Sequence, residues 1–221
     1  MKQGKSMYSK VIKRFCDFIL SLLALAILSP LFVLLIVLGA VVMKGNPFFV
    51  QERPGRNEKI FKLIKFRTMT NAKDAQGNLL PDNQRNSRYG DFLRKTSLDE
   101  LGELLNIIRG DMSIVGPRPL LVRYLPYFTE DERHRHDVRP GLTGWAQVNG
   151  RNFITWEEIF DFDLFYVKHL SFMLDLKIIF MTIKKVLLHE DITDATQGNV
   201  DADGRKVHDA LDIERKESYD S

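Results

Sequence analysis

The chain has 221 residues, with 32 Lys and Arg against 29 Asp and Glu, so its formal net charge is only +3. Apolar residues make up 44% and charged residues 28%, which excludes both a wholly disordered chain and a protein with many membrane spans. The single cysteine excludes a disulfide framework, a zinc finger and a dithiol redox pair.

The small net charge hides a strong asymmetry along the chain. Residues 1–67 carry twelve basic and three acidic side chains, a net charge of +9, whereas residues 68–221 carry a net charge of −6. The segment from Glu190 onward has ten acidic and four basic residues. That composition is typical of a disordered tail, which we predict for residues 190–221.

Residues 18–43 form an apolar run of 26 residues without a charge. A helix of this length is long enough to cross a bilayer, and it is too long for the apolar part of a cleaved signal peptide. Ser29 and Pro30 interrupt the middle of the run. Pro30 has no amide hydrogen for the carbonyl of Ala26, so we expect a kink or break there. The Ser29 hydroxyl is suited to donate to a carbonyl one turn earlier.

Basic residues flank the apolar run on both sides: Lys2, Lys5, Lys10, Lys13 and Arg14 before it, and Lys44, Arg53, Arg56, Lys59, Lys62, Lys65 and Arg67 after it. Because positive charge marks the cytoplasmic side of a membrane segment, both ends favour the same side. A re-entrant hairpin in one leaflet and a kinked span both remain open. The basic flanks favour anionic lipid headgroups over nucleic acid, because no nucleic-acid motif accompanies them.

The next elements are short. We predict strands at 48–51 and 60–66, with a turn at 54–57, followed by a polar surface excursion at 71–90. A helix is expected to begin at Ser97, where 97–100 fits a capping box, and to stop at Gly110. The segment 117–119 is extended, and 140–151 is a Gly-rich loop too broken for a regular element.

Two helices are then predicted, at 156–169 and 172–188. The second is rich in apolar residues, and Lys177, Lys184 and Lys185 are predicted to share one side of it. Such a helix suits the membrane interface, with its lysines toward headgroups. A core helix with one wet edge fits the same pattern, so both interpretations remain open.

Asp99 and Glu100 are the first candidates for chemistry. Acids in a first helical turn also favour the helix dipole, so spacing alone does not make them catalytic. Their neighbours Arg94, Asp111 and Arg118 strengthen the catalytic interpretation. Carboxylates suit a magnesium ion and arginines suit phosphoryl oxygens, so this set fits a magnesium-bound phosphate substrate.

The remaining candidates are weaker. The loop 140–151 lacks the standard nucleotide-binding spacings but offers backbone amides together with Gln147, Arg139 and Arg151. His134 and His136 lack a third ligand at metal spacing and are predicted to be surface residues. The chain has no Gly-x-Ser-x-Gly elbow, which disfavours serine-hydrolase chemistry.

Taken in order, seven motifs resemble a known family. They are Lys13-Arg14-Phe15-Cys16-Asp17, Ser29-Pro30, Lys65-Phe66-Arg67-Thr68-Met69, Ser97-Leu98-Asp99-Glu100-Leu101, Gly110-Asp111-Met112-Ser113, Gly116-Pro117-Arg118-Pro119-Leu120 and Arg139-Pro140-Gly141-Leu142-Thr143-Gly144. The sequence is similar to the small monotopic phosphoglycosyl transferases of the bacterial sugar transferase family, of the PglC type. The resemblance covers roughly residues 8–189.

The resemblance implies transfer of a phospho-sugar from a UDP-sugar, expected to be N-acetylated, to a polyprenol (undecaprenyl) phosphate with release of UMP. It implies that Asp99 is the nucleophile, forms a covalent aspartyl-phosphosugar intermediate and contacts Mg²⁺, with Glu100 in support. Arg94 and Arg118 match family arginines near the phosphates, and the region of Arg139, Gln147 and Arg151 matches the nucleotide side. In many relatives Pro-Gln stands where this chain has Gly102-Glu103, and Gly102 is expected to weaken the helix by ~1 kcal/mol relative to Ala.

The expected fold is α+β and mainly helical, with a re-entrant hairpin at 1–47, a cytosolic catalytic domain at 48–189 and the acidic tail. The resemblance favours the hairpin over the kinked span and implies the cytoplasmic face of the bacterial inner membrane, in contact with anionic lipids. Two other functions stay open on the residues alone. One is a non-catalytic membrane adaptor, and the other is a membrane phosphohydrolase acting on diphosphates.

Overall fold

A computed structural model describes residues 8–150 and 156–188. The fold is α+β and mainly helical, with two small sheets of two strands each among these residues. The helices are α1 (Lys13–Ile27), α2 (Ser29–Val42), α3 (Asp82–Arg85), α4 (Arg88–Lys95), α5 (Glu103–Arg109), α6 (Glu130–Arg133), α7 (Trp145–Asn149), α8 (Trp156–His169) and α9 (Phe172–Leu188). The strands are β1 (Phe48–Pro54), β2 (Ile60–Phe66), β3 (Ser113–Val115) and β4 (Gly141–Thr143).

The apolar run folds as two helices that meet at a sharp bend. The axes of α1 and α2 differ by 67°, and Leu28 lies between them. Ser29 Oγ donates to the carbonyl of Ala26 at 2.8 Å, as predicted. In the described part of the chain no single helix is long and apolar enough to cross a bilayer, although this bent pair together passes that test of length and composition.

The helix α1 is polar on its packed side. Lys13, Asp17 and Ser21, spaced one turn apart, are its buried residues, whereas large apolar side chains of both helices face outward. The exposed set is Phe15, Phe18, Leu20, Leu22, Leu23, Ile27, Val33, Leu34, Val37, Leu38, Val41 and Val42. A continuous apolar surface of this kind is typical of contact with a membrane or a partner.

The described residues divide into two compact units, 8–52 with 61–114, and 53–60 with 115–150 and 156–188. The predicted acidic tail at 190–221 lies outside the described residues. In the first unit, polar contacts hold α1 against the end of α5. Arg14 Nη1 and Nη2 donate to the carbonyls of Ile107 and Ile108 at 2.5 and 2.7 Å, so a cation satisfies the C-terminal end of α5. Asp17 accepts from Ser113 Oγ at 2.6 Å. The predicted boundary at residue 47 concerns membrane contact and stays a prediction.

The core of the first unit lies between α2, β2 and α4. Leu35, Phe66 and Leu93 are buried together, and the ring of Phe32 meets that of Phe66 edge to face at 5.1 Å. Gly90 is required in α4, because a Cβ there would lie 1.8 Å from the carbonyl oxygen of Thr68. The helix α4 was not predicted, since its sequence lies partly within the polar excursion assigned to 71–90.

The second unit is built on α8 and α9, both of which have the predicted bounds. Its core cluster contains Tyr124, Phe128 and Phe160. The prediction that 140–151 is too broken for a regular element was wrong, because the segment contains β4 and α7. The amide of Gly116 donates to the carbonyl of Thr143 at 2.9 Å and extends the pairing of β3 with β4 beyond Val115.

The helix α9 has both a packed side and an exposed apolar side. Ile178 is fully buried and Asp175 is nearly so, whereas Met173 and Phe180 are about 70% exposed, at 71% and 68%. Lys177 Nζ lies 5.0 Å from the centre of the Trp145 ring. The buried residues agree with a core helix on one side of α9. The exposed apolar residues on its other side also fit a helix at the membrane interface.

Candidate functional site

Asp99 and Glu100 lie in a short 3-10 turn, Leu98–Gly102, that precedes α5. The residue before the turn, Ser97, has φ = 54°, in the left-handed region that non-glycine residues rarely occupy. The side chain of Ser97 makes no capping hydrogen bond, so the predicted capping box is wrong. Such backbone strain is typical of functional sites, where surrounding contacts maintain it.

The side chain of Glu100 pairs with a lysine instead of capping the helix. Lys65 Nζ on β2 lies 2.8 Å from Glu100 Oε1 and 3.2 Å from Glu103 Oε1. Glu103 is 4% exposed, and the side chains of Lys65 and Glu100 are less than a fifth exposed. The ammonium group of Lys65 therefore bridges two largely buried carboxylates. One of them belongs to Glu100, which directly follows Asp99 in the sequence. Asp99 itself is half-buried.

Two further contacts hold the dyad turn against β2. Asn106 of α5 is fully buried, and its side-chain amide donates to the carbonyl of Lys62 at 2.7 Å and accepts from the amide of Ile64 at 2.9 Å. Gly102 lies so close to β2 that a Cβ there would be 2.6 Å from the carbonyl oxygen of Ile64. The sequence-based expectation that Gly102 merely weakens the helix was therefore wrong, because the glycine permits close packing.

Arg94, the predicted phosphate ligand of the first unit, lies near the end of α4. Its Nη2 donates to Asp91 Oδ1 at 2.5 Å and to Asn86 Oδ1 at 3.1 Å. Asp91 and Arg94 thus form an ion pair on α4. A role for Arg94 in substrate binding stays a prediction.

Arg118 belongs to the second unit and is exposed between two buried prolines, Pro117 and Pro119. Each of the three carbonyls of this segment accepts a hydrogen bond. The amide of Gly141 donates to Pro117 O at 2.9 Å, Arg135 Nη2 donates to Arg118 O at 2.9 Å and Arg53 Nη1 donates to Pro119 O at 3.1 Å. These three hydrogen bonds consequently fix the backbone of residues 117–119, from which the Arg118 side chain extends.

Arg135 is itself buried at 2% exposure and paired with Asp163 of α8, which is 1% exposed. Its Nε and Nη2 lie 3.1 and 2.6 Å from Asp163 Oδ2. The rings of Phe128 and Phe160 lie 5.8 and 5.7 Å from its guanidinium carbon. Burial raises the pKa of Asp163, and the guanidinium of Arg135 opposes that rise.

The two histidines predicted to be surface residues differ from each other. His134 is exposed, as predicted. His136 is 6% exposed, which contradicts the prediction, and its two ring nitrogens have no hydrogen-bond partner among the described residues. Burial, followed by the neighbouring charge of Arg135, lowers the pKa of His136 to about 4. His136 is therefore neutral at physiological pH.

The other predicted substrate-binding residues of the second unit are Gln147, Arg139 and Arg151. Gln147 Nε2 donates inward to the carbonyl of Leu142 at 3.2 Å. Arg139 is half-buried, and Arg151 lies outside the described residues. Their roles stay predictions.

Magnesium binding by Asp99 stays a prediction, and the carboxylates present fit it. No group of three or more His, Cys, Asp or Glu side chains in 8–150 and 156–188 is arranged to hold a metal. Magnesium usually takes only one or two protein carboxylates, with its other ligands drawn from water and substrate phosphates. The half-buried carboxylate of Asp99 is a ligand of the type that such a site uses.

Sequence reasoning missed the residues that hold both candidate regions in place. Lys65 and Asn106 contact partners 35 and 42–44 positions away, and Arg135 contacts a partner 28 positions away. The one feature of the sequence that pointed to any of these residues was that Lys65 lies in a motif resembling one of the bacterial sugar transferases.

Comparison with known proteins adds independent findings. The family model described as bacterial sugar transferase matches residues 8–189. The chain is 50% identical over 184 residues to the "Uncharacterized sugar transferase EpsL" of Bacillus subtilis, covering 82% of this chain and 90% of the relative. It is 40% identical over 193 residues to the exopolysaccharide production protein ExoY of Sinorhizobium fredii, covering 80% and 85%.

A longer relative carries a named reaction. The UDP-glucose:undecaprenyl-phosphate glucose-1-phosphate transferase of Xanthomonas campestris is 37% identical over 202 residues, which are 85% of this chain and 42% of the relative. The matched region is thus about two fifths of that protein and nearly the full length of EpsL and ExoY.

Proposed function

The chain belongs to the bacterial sugar transferase family, and on that premise we propose that it transfers a sugar 1-phosphate from a UDP-sugar to undecaprenyl phosphate and releases UMP. The glucose-1-phosphate transferase of Xanthomonas campestris supports this reaction. The structural observation that carries the proposal is the turn Leu98–Gly102, which contains both acids. In this turn Glu100 forms an ion pair with Lys65, and the neighbouring Asp99 is half-buried.

Two phosphoryl exchanges account for the reaction. In the first, a carboxylate oxygen of Asp99 forms a bond to the β-phosphorus of the donor, the bond from that phosphorus to the bridging oxygen breaks, and UMP leaves. In the second, a phosphate oxygen of the lipid attacks the same phosphorus, and the bond to Asp99 breaks. Each exchange brings fewer negative charges together than direct attack of one polyanion on another.

The protein residues supply charge and position. Lys65 places positive charge against Glu100 and Glu103, which reduces the repulsion that these acids exert on an incoming diphosphate. Arg118, exposed on a fixed backbone, is the proposed diphosphate ligand of the second unit. Magnesium bound at Asp99 would neutralise part of the charge on the transferring phosphoryl group.

The apolar helices are proposed to hold this chemistry at the cytoplasmic surface of the bacterial inner membrane, as a hairpin. The 67° bend, the outward apolar side chains and the basic flanks support that placement. The test is labelling of single cysteines in a Cys16→Ser background, at Lys5→Cys and Val50→Cys, with an impermeant thiol reagent. We expect both to react from the cytoplasmic side only. Labels on opposite faces would contradict the hairpin.

The central test of the proposal uses Asp99→Asn. We expect UMP release and formation of the lipid-linked sugar to fall by at least about 10³-fold, because the amide is a poor nucleophile. Intact-mass spectrometry of the wild-type protein given donor without lipid should show a sugar-phosphate adduct that the variant lacks. Asp161→Asn, an exposed acid of α8, is the matched control and should keep both signals.

The same assay distinguishes the competing functions and the donors. A wild-type protein that releases no UMP from any donor would favour an adaptor, and turnover independent of undecaprenyl phosphate would favour a phosphohydrolase. A panel of UDP-glucose, UDP-galactose and UDP-N-acetylglucosamine tests the expectation of an N-acetylated sugar. Near-normal product with Asp99→Asn would remove Asp99 as the nucleophile.

A further inference from the structure

The buried ion pair of Arg135 and Asp163 does more than fill the core of the second unit. Removing two charges from water is costly, and a buried pair is often no more stabilising than apolar side chains of the same volume. A buried ion pair is therefore weak evidence for a purely stabilising role. Its geometry is specific, which favours a role in orientation.

Arg135 is held by hydrogen bonds and by two aromatic rings. Two nitrogens donate to Asp163, and the rings of Phe128 and Phe160 flank the guanidinium. Nη2 also donates to the carbonyl of Arg118 at 2.9 Å. The planar fork of arginine makes these bonds at once, whereas lysine offers a single point charge.

The helix α8 holds the same segment at a second point. Tyr166, one turn after Asp163, is 1% exposed, and its hydroxyl lies 3.0 Å from the carbonyl oxygen of Val115 and 2.7 Å from Asp175 Oδ1, the two acceptors for its single proton. Side chains at two positions of α8 thus act on a stretch of four residues, one directly and one through Arg135. The carbonyl held by Arg135 is that of Arg118 itself, and its position restricts the direction in which the Arg118 side chain leaves the backbone.

We propose that Arg135, oriented by Asp163, is a positioning residue that fixes the backbone of Arg118 so that this exposed guanidinium meets the diphosphate of the donor. The inference rests on the proposed function, in which Arg118 binds the donor. In donor binding Arg135 acts through Arg118, so loss of its contact weakens donor binding only while the Arg118 guanidinium is present.

The experiment is a double-mutant cycle on the full-length protein in lipid nanodiscs, with Arg118→Ala, Arg135→Lys and the two combined. Binding of UDP is measured by calorimetry, together with KM and kcat for the donor. Lysine at 135 keeps the charge beside Asp163 and loses the aimed bond to the Arg118 carbonyl. We expect each single variant to weaken UDP binding about tenfold, and the double variant to bind as Arg118→Ala does.

Arg133→Lys is the matched control. Arg133 also donates to one acid, Glu58, and to one backbone carbonyl, that of Leu125 at 2.8 Å. Its carbonyl partner lies outside the segment 115–119, so UDP affinity should stay within twofold of wild type. Melting temperatures of both lysine variants show whether a shared loss of stability accounts for the result.

The outcomes separate the two proposals. Wild-type UDP affinity in Arg135→Lys, or additive losses in the double variant, would overturn the positioning role and leave the donor site intact. No UDP binding by the wild type, or no effect of Arg118→Ala, would overturn the donor site and the inference with it. If Arg135→Lys does not fold, Arg53→Lys tests the neighbouring tether to Pro119. A loss that vanishes in the Arg118→Ala background supports the inference, and unchanged affinity overturns it.

Discussion

Asp99 and Glu100 stand in a strained turn that side-chain charge holds against a strand, whereas Arg118 stands in an extended segment that is held through its backbone carbonyls. In the first region Lys65 touches the functional side chain Glu100. In the second region Arg135 touches the peptide group of Arg118.

The difference predicts different consequences of mutation. Changes around the dyad alter the local charge as well as the position of the acids, so they should affect both stability and kcat. Changes around Arg118 alter position alone and should affect mainly the binding of the donor. Each prediction below separates charge from position in one of the two regions.

Lys65→Met should have the largest effect on stability. The substitution removes the cation that Glu100 and Glu103 share, and breaking a largely buried ion pair by removing one partner costs about 3 kcal/mol. Thermal unfolding in nanodiscs should show a clearly lower melting temperature, and UMP release should fall with it. Lys65→Arg preserves the charge and should restore most of the stability. An unchanged melting temperature for Lys65→Met would show that charge does not hold the dyad turn.

Gly102→Ala should have the next largest effect, through position without charge. A Cβ at this residue would lie 2.6 Å from the carbonyl oxygen of Ile64, and such overpacking costs about 1–3 kcal/mol. Helix propensity alone predicts the opposite sign, a gain of about 1 kcal/mol. Gly45→Ala is the control, because a Cβ there meets no atom within 4 Å. Chemical unfolding that ranked Gly102→Ala above wild type would show that the turn is not packed tightly on β2.

The features that were predictable from the sequence are those set by nearby residues. The bend at Ser29, the left-handed Gly110 at the end of α5, the strands β1 and β2 and the helices α8 and α9 all follow from local spacing, caps and turns. Ser97 was misjudged because a capping-box pattern does not reveal that the backbone turns left-handed before the dyad.

The residues that hold the candidate site could not be found in this way. Asn106 resembles any polar helix residue until the backbone of β2 is seen beside it, and Arg135 resembles a surface charge within a charged stretch. Their roles depend on partners far away in sequence, and a single sequence gives the type of a residue without its partner. The acids Asp99 and Glu100 were identified because a family motif places them, and the structure adds the cation that binds one of them.

Acid should have the smallest effect, confined to the region of Arg118. His136 has a pKa of about 4 in the folded protein, below the ordinary 6.5 of the unfolded chain, so only the unfolded chain gains a proton between these values. Stability should therefore fall as the pH drops from 6.5 toward 4, by about 1 kcal/mol between pH 7 and 5.5. Unfolding measured across this range should lose that part of its slope in His136→Asn, whereas His134→Asn, at an exposed position, should keep it. An equal slope in His136→Asn would mean that a group other than His136 causes the loss of stability in acid.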